Sequence, residues 1–276
     1  MKKCRSKCTL IIGIIFMTAS LCFVLYPSVS NAVNSFFAAS TINNYAANFD
    51  SISAARSQYL SAAAEYNNNL SELINGFSYD TDSVIDGYDD ILNFGDGLIG
   101  YIDISKINVK LPIYHGDTDK VLEKGVAHLP NTAFPIGGIG NHSVLSAHTG
   151  YPTQVFFDNL NELEIGDEIK VSVLDETLTY AVTAKNIVKP DNISLLSVDE
   201  EKDLLSLITC YPYGVNSHRL IVTAERVKDT AASDTATKTE NNNNGSFDFI
   251  IAVIVITAIL AILVIAVSIK NKRRRK

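Results

Sequence analysis

The sequence predicts a mainly β domain, an antiparallel barrel or sandwich, placed between two membrane helices. Three observations support this prediction. Residues 98–227 contain about eight short apolar runs separated by Gly, Pro and Asn turns, a pattern typical of strands. Few stretches of that region have the periodicity of a helix. An almost uncharged apolar stretch lies near each end of the 276-residue chain.

The two apolar stretches are residues 10–26 and 249–269. The second has about the 20 residues that a membrane-spanning helix requires. Lys and Arg flank both stretches on their terminal sides, so the positive-inside rule places both termini in the cytoplasm and the central domain outside. Ser30-Asn31-Ala32 resembles a signal-peptide cleavage site, which leaves open whether the first stretch is an anchor or a signal.

The remaining chain divides by composition. The predicted segments are a basic flank with a signal or anchor (1–33), a helical stalk with an acidic segment (34–97), the β domain (98–228), a disordered linker (229–246), a transmembrane helix (247–269) and a basic cytoplasmic tail (270–276). Ten of the 23 Lys and Arg lie at the two ends, which leaves 13 against all 30 Asp and Glu, a net charge of −17. This charge disfavours nucleic acid and anionic lipid as partners. It suits a basic partner or an amine substrate, although solubility alone also explains it.

The strands can be placed along the chain from the apolar runs. Seven of the approximately eight strands can be placed, at 98–104, 107–114, 143–147, 168–174, 178–188, 204–210 and 219–227. The runs 168–174 and 178–188 are predicted to form a hairpin around Asp175-Glu176. Pro112 predicts that the second strand lies at an edge or a bend. Residues 119–126 are predicted as one short helix, capped by Asp117 or Thr118.

The acidic segment, residues 75–96, alternates aspartates with aromatic residues and glycines. This composition favours a surface loop, and a solvated connector is at least as good an interpretation as a functional one. The spacing of an EF-hand calcium loop is absent from it.

The stretch from 207 to 222 carries the strongest chemical signal. Cys210 ends one predicted strand and Arg219 begins the next, so antiparallel pairing would place the thiol beside the guanidinium. Cys210 is also the single cysteine of the outer domain, which excludes an internal disulfide there. Such a cysteine is either a reactive thiol or a small buried residue. Arg219 would donate hydrogen bonds to an oxyanion, or would simply pair with a nearby acid.

A cysteine nucleophile requires a base, and histidine is the usual one. His148 ends a strand within Ser-Ala-His-Thr-Gly, as Cys210 ends another, so the two could meet at one rim. The other four histidines are predicted outside strands: His115 and His128 in connectors, His142 just before a strand and His218 in a loop. A satisfied core or turn histidine remains an alternative for His148. We expect no metal and no cofactor, because the sequence has neither His-Glu-x-x-His nor paired Cys-x-x-Cys.

Several motifs resemble those of the sortases, the membrane-bound cysteine transpeptidases of Gram-positive bacteria, and most of all the pilin-polymerising class C. The motifs are Gly-Tyr-Ile-Asp-Ile-Ser-Lys-Ile (100–107), Leu-Pro-Ile-Tyr-His-Gly (111–116), Val-Leu-Glu-Lys-Gly-Val-Ala-His-Leu (121–129), Gly-Asn-His-Ser-Val-Leu-Ser-Ala-His-Thr-Gly-Tyr-Pro (140–152) and Thr-Cys-Tyr-Pro-Tyr-Gly-Val-Asn-Ser-His-Arg-Leu (209–220). They occur in the family's order over residues 98–227.

The resemblance implies a closed eight-stranded β-barrel and a catalytic set of Cys210, His148 and Arg219. It implies a substrate with a C-terminal sorting signal of the Leu-Pro-x-Thr-Gly kind, cut after Thr through a Cys210 thioester. The acyl group would pass to a Lys amine of a pilin at the outer face of the cell membrane. Alternatives are a sortase that attaches surface proteins to cell-wall peptide, a cysteine hydrolase and a non-catalytic, membrane-tethered binding domain.

Two positions depart from the family pattern. Ser105 stands where the family usually has Pro. The acidic segment lacks the Asp-Pro-aromatic anchor with which class C lids cover the cysteine. Five residues are the candidates for a looser lid anchor: Asp80 with Tyr79 or Phe77, and Asp86 with Tyr88.

Overall fold

The computed structural model describes residues 2–47, 55–73, 85–192 and 194–227. The predicted linker and C-terminal transmembrane helix lie outside these residues, as do Phe77, Tyr79 and Asp80. The described residues fall into two compact units, one within residues 2–36 and one within residues 37–227. Two helices, α1 (Lys2–Ala47) and α2 (Arg56–Leu73), cover part of the segment predicted as a helical stalk. The division of the chain into a stalk and the other predicted segments stays a prediction.

Helix α1 confirms the predicted N-terminal apolar helix. Its stretch Ile15–Ala47 is long and apolar enough to cross a membrane. The C-terminal part of α1 has a different role, because Ala38, Ile42 and Tyr45 recur at helical spacing and are all buried. The Tyr45 hydroxyl donates to the Ile99 carbonyl (3.0 Å) and accepts the Leu174 N–H (2.6 Å). This end of the helix is therefore fixed to the β domain.

The β domain is a closed barrel, as the sequence and the resemblance predicted. Its strands are β1 (Leu98–Ile104), β2 (Val109–His115), β3 (Val126–His128), β4 (His142–Ser146), β5 (Glu168–Val173), β6 (Glu176–Val188), β7 (Leu204–Tyr211) and β8 (His218–Arg226). Around the barrel the order is β1-β2-β3-β4-β7-β8-β6-β5. The pairs β2–β3 and β4–β7 are parallel, and the other pairs are antiparallel.

Three details of the sequence prediction were wrong. The predicted helix over 119–126 is shorter: α3 covers Asp119–Leu122 after the N-cap Thr118, and the unpredicted strand β3 begins at Val126. Strand β2 has neighbours on both sides and is not an edge. Pro112 is tolerated because β3 pairs with β2 only from Ile113 onward, so no hydrogen bond to β3 needs its missing N–H.

The third error concerns the histidines. His115 and His128 end strands β2 and β3 instead of lying in connectors. His142 and His218 are the first residues of β4 and β8.

Helix α2 packs on the barrel through one side and adds to the core. Its residues Ala63, Tyr66 and Leu70 are buried in the main hydrophobic cluster. The Asn67 amide is buried beside them, donates to the Phe134 carbonyl (3.1 Å) and accepts the Phe134 N–H (2.8 Å). Because both atoms of this amide are bonded to one residue, the helix is held at a defined position on the barrel.

Candidate active site

Strands β7 and β8 bring Cys210 and Arg219 together. The two residues are direct partners in the antiparallel pairing of β7 and β8, in the same register that pairs Leu207 with Val222. Side chains of directly opposed residues project from the same face with Cβ atoms about 5 Å apart. The predicted neighbourhood of thiol and guanidinium is therefore present.

Strand β4 brings His148 to the same rim. It runs parallel to β7, with Ser146 opposite Ile208. The pairing continues past the end of β4, because Ala147 donates its N–H to the Ile208 carbonyl (3.1 Å) and its carbonyl accepts the Thr209 hydroxyl (2.8 Å). His148, the next residue, follows at the level of Cys210. The strand itself ends at Ser146, one residue before the predicted end at 147 and two residues before His148.

The His148 imidazole is half-buried and held by aromatic contacts. It stacks on Tyr151 with ring centroids 5.1 Å apart and planes at 5°, and Phe156 meets it edge-on at 6.3 Å. Neither ring nitrogen has a hydrogen-bond partner among the residues that the structure describes. Both nitrogens are consequently available to give or take a proton.

The other four histidines all have hydrogen-bonded rings. Both nitrogens of His115 lie on the backbone carbonyls of Gly97 and Ile91 (2.8 and 2.6 Å), and His218 contacts the Ser217 hydroxyl at 2.9 Å. His128 contacts the Tyr88 hydroxyl and the Ala133 carbonyl (2.8 and 2.9 Å), and His142 contacts the Ser206 hydroxyl and the Ser197 carbonyl (2.8 and 2.9 Å). Burial lowers the pKa of His128 to about 3 and also lowers the pKa of His142. These two rings are neutral structural elements.

Arg219 is oriented by its own loop. Its Nη1 donates to the His218 carbonyl (3.2 Å) and weakly to the Asn216 carbonyl (3.4 Å). No carboxylate in the described ranges lies within ion-pair distance of it, so the alternative of an ordinary surface ion pair lacks a partner there. An Arg side chain fixed by backbone carbonyls and not neutralised can bind a developing oxyanion.

The loop between β7 and β8 leaves an exposed apolar surface next to these residues. Tyr213 and Val215 are each 68% exposed. The Tyr213 ring lies against Gly150, where a Cβ would stand 3.3 Å from the ring, and Gly150 also has a positive φ of 73°. The positive φ favours glycine at this position, and the Tyr213 ring would have to shift slightly to admit a Cβ.

The candidate lid residues lie partly within the described chain. Asp86 is exposed in a turn, whereas Tyr88 is buried in the core. The Tyr88 hydroxyl contacts His128 and accepts the Gly116 N–H at 3.1 Å, and its ring stacks with Phe134. These contacts anchor the end of the acidic segment to the barrel wall. A lid role for this segment stays a prediction.

Sequence reasoning missed three residues that organise the site: Thr209, Tyr151 and Asp158. Thr209 directly precedes Cys210, and a hydroxyl next to a nucleophile was a signal that could have been used. Tyr151 lies three residues after His148. The sequence gives no comparable signal for Asp158, whose carboxylate accepts backbone N–H groups of the loop that follows His148.

Fold and site together define a class: a closed β-barrel with a candidate thiol acyl-transfer centre at one rim. Residues 102–227 match the family model described as the Sortase domain. Sortase D of Bacillus subtilis is 34% identical over 131 residues, which cover 46% of this chain and 63% of that protein. The chain thus spans somewhat less than two thirds of this curated relative.

Solved structures match more completely. Sortase C of Clostridium perfringens, crystallised with the C-terminal cell wall sorting motif, is 37% identical with a TM-score of 0.60, covering 69% of this chain and 100% of that one. Sortase C1 of GBS pilus island 1 is 30% identical with a TM-score of 0.65, covering 73% of this chain and 96% of that one. The chain belongs to the sortase family. This membership confirms the predicted enzyme class.

Proposed function

We propose that this chain is a membrane-anchored class C sortase that cleaves a Leu-Pro-x-Thr-Gly-like sorting signal after Thr and transfers the acyl group to a Lys amine of a pilin. One observation carries the proposal: Cys210 is paired with Arg219 at the rim that His148 also reaches, and no residue in the described ranges is hydrogen-bonded to the His148 ring nitrogens. Other enzymes of the family share the acyl-enzyme step, so the acceptor amine is the more specific part of the proposal.

The first half-reaction forms the acyl-enzyme. The Cys210 thiolate attacks the Thr carbonyl carbon, and Arg219 donates hydrogen bonds to the resulting oxyanion. Collapse breaks the Thr–Gly C–N bond and leaves a thioester on Sγ. The protonated His148 gives its proton to the departing Gly amine.

The second half-reaction returns the enzyme to its starting state. A neutral Lys amine attacks the thioester carbonyl, and an isopeptide C–N bond forms as the C–S bond breaks. His148 takes the proton that the attacking amine loses, and Cys210 leaves as the thiolate. With water as the acceptor the same steps would give hydrolysis.

The choice of acceptor is supported by the relatives. Two of the matching structures are class C enzymes, one of them bound to a sorting motif and the other from a pilus island. The curated relative is named Sortase D, which keeps attachment of surface proteins to cell-wall peptide as the second candidate function.

The proposed location is the outer face of the cell membrane. Helix α1 provides the apolar stretch that would act as anchor or signal. The basic residues before it, together with those of the C-terminal tail, favour cytoplasmic termini, unless the N-terminal segment is cleaved.

The acyl-enzyme step can be tested by intact mass. The full chain in detergent micelles is incubated with a Leu-Pro-x-Thr-Gly peptide, beside the Cys210→Ala variant. We expect a mass gain equal to the peptide cut after Thr in the wild type and no gain in Cys210→Ala. If Cys210→Ala gains the same mass, the nucleophile is wrong. If several motif peptides give no adduct, the binding-domain alternative is favoured instead.

The acceptor is then tested on the isolated acyl-enzyme. A Lys-containing pilin peptide and a cell-wall peptide amine are offered at equal concentration. Preferential discharge by the pilin Lys supports pilin polymerisation, whereas preferential discharge by the wall peptide supports anchoring. If water alone discharges the thioester as fast as either amine does, the protein is a hydrolase.

A further inference from the structure

The loop after His148 is closed by one carboxylate. We call residues 148–158 the histidine loop. Asp158 at its end accepts the N–H of Gly150 through Oδ1 (2.9 Å) and the N–H of Phe156 through Oδ2 (2.9 Å). A third bond, from the Phe157 N–H to the His148 carbonyl (3.0 Å), joins the two ends of the loop.

The two N–H groups bound by Asp158 belong to the parts of the loop that hold the imidazole. Gly150 immediately precedes Tyr151, on which the His148 ring stacks. Phe156 is itself the edge-on neighbour of that ring. Tyr151 and Phe156 also contact each other, with centroids 5.7 Å apart. The carboxylate thus fixes the backbone beneath both walls of the imidazole site.

We propose that Asp158 is a positioning residue of the reaction: its carboxylate shapes the histidine loop so that Tyr151 and Phe156 hold the His148 imidazole in place at the Cys210 rim. The proposal rests on the proposed function, because it assigns Asp158 a role through His148. Asp158 itself need not touch substrate.

The chemistry of the acceptor explains why a carboxylate is suited to this position. An ionised carboxylate has two acceptor oxygens and no donor, and its bonds to N–H groups are stronger than those between neutral groups. In Asp158→Asn, one oxygen can still accept an N–H, but the amide NH2 points donors at the other N–H. In Asp158→Ala, both N–H groups lose their acceptor. We therefore expect the His148 imidazole to be held most firmly in the wild type, less firmly in Asp158→Asn and least firmly in Asp158→Ala.

The decisive measurement reads the imidazole directly. The full chain, with its five histidines carbon-13 labelled, is placed in detergent micelles, and the imidazole Cε1–H signals are recorded by NMR. His148→Ala assigns the His148 signal by its loss. In the wild type this proton should show a ring-current shift from the stacked Tyr151 ring. Asp158→Asn should move the His148 chemical shift part of the way towards that of a histidine in an unfolded chain, and Asp158→Ala should move it most of the way. The signals of the other four histidines should not move.

A matched control comes from another loop of the barrel. The Asp167 carboxylate accepts the Glu164 N–H through Oδ2 (2.8 Å), next to strand β5. Asp167→Ala removes a similar carboxylate-to-backbone bond and should leave the His148 signal unchanged. If Asp167→Ala moves that signal as much as Asp158→Ala does, the effect is general loosening and the proposal fails.

Single-turnover kinetics provide the second readout. A misplaced imidazole should lower the rate of the acyl-enzyme step by about 10- to 100-fold while leaving KM nearly unchanged, since Asp158 contacts no substrate in this role. An unchanged His148 signal in both Asp158 variants overturns the proposal. So does collapse of all five signals in both variants, which would make Asp158 a residue of the whole fold. If the signal moves but the wild type forms no acyl-enzyme, the proposed function fails and the positioning role of Asp158 remains.

Discussion

His128 and His148 lie on neighbouring strands, or just beyond them, and their rings are packed in nearly the same way. The His128 ring stacks on Phe134 at 4.8 Å and the His148 ring on Tyr151 at 5.1 Å, both with planes at 5°. The two rings differ in burial and in the hydrogen-bond partners of their nitrogens. His128 is fully buried, with one nitrogen on the Tyr88 hydroxyl and the other on the Ala133 carbonyl. His148 is half-buried and has no hydrogen bond from the described chain.

The comparison shows that aromatic packing does not distinguish a structural histidine from the candidate catalytic one. What distinguishes them is whether the nitrogens are already hydrogen-bonded and whether water can reach them. Burial lowers the pKa of His128 to about 3, so this ring cannot exchange a proton near neutral pH. His148 has the same aromatic support, but it is half-buried and no described residue is hydrogen-bonded to its ring nitrogens, so a reacting group can reach them as general acid–base catalysis requires.

The sharpest test compares alanine variants of the two histidines, because one should lose acylation rate and the other should lose stability. His148→Ala should lower the single-turnover acylation rate by about 10²- to 10⁴-fold and leave the free energy of unfolding nearly unchanged. His128→Ala should lower the free energy of unfolding by about 2–5 kcal/mol, because it opens a cavity and leaves the Ala133 carbonyl without its contact to the imidazole. Its acylation rate per folded molecule should stay near the wild-type value.

Urea unfolding followed by tyrosine fluorescence measures the free energy of unfolding, and intact mass against time measures the acylation rate. Both are made on the full chain in micelles. Loss of acylation in folded His128→Ala, or wild-type acylation in His148→Ala, would break the distinction between the two histidines.

A smaller effect follows from the buried, neutral state of His128. In the unfolded chain this histidine takes up a proton as pH falls through about 6.5, whereas in the folded protein it does so only near a pKa of about 3. The unfolded state therefore binds more protons between these values, and stability falls as pH decreases, at close to 1.4 kcal/mol per pH unit for this residue. The lowered pKa of His142 acts in the same direction.

The measurement compares wild type with His128→Gln between pH 6.5 and 4.5. The variant should lose stability less steeply with decreasing pH, by about 1.4 kcal/mol per pH unit, because one proton-binding difference has been removed. Parallel curves for the two proteins would show that His128 is not the source of the pH dependence.

The sequence was sufficient for those parts of the fold that depend on neighbouring residues. The β5–β6 and β7–β8 hairpins were predicted because each pairs runs joined by a short turn, and the second hairpin set Cys210 opposite Arg219. Strand β3 was missed because three residues, Val126–His128, are too few for an alternating pattern. Its partners β2 and β4 are the strands before and after it in the chain, but residues 116–125 and 129–141 lie between them, so no short turn indicates the pairing.

The roles of the histidines could not be predicted because several of their partners are backbone carbonyls that only the fold brings near. Both nitrogens of His115 contact the carbonyls of Gly97 and Ile91, and one nitrogen of His142 contacts the Ser197 carbonyl. The resemblance selected His148 as a candidate, but the lack of a hydrogen-bond partner for its ring among the described residues is visible only when all five environments are compared. The same applies to Asp158, whose partners are N–H groups.

The smallest effect concerns the joint between β4 and β7, where Thr209 bonds the Ala147 carbonyl (2.8 Å). Thr209→Val removes this buried hydrogen bond with little change of shape and should lower the free energy of unfolding by about 1 kcal/mol. It should also lower the acylation rate a few-fold, because it loosens the strands that bring Cys210 to His148. Thr209→Ser keeps the hydroxyl and should restore the rate. Thr132, whose buried hydroxyl donates to the Leu129 carbonyl (2.7 Å) beside His128, provides the matched control. Thr132→Val should lose similar stability without the loss of rate, and equal rates in both Val variants would mean that the β4–β7 joint does not set the catalytic geometry.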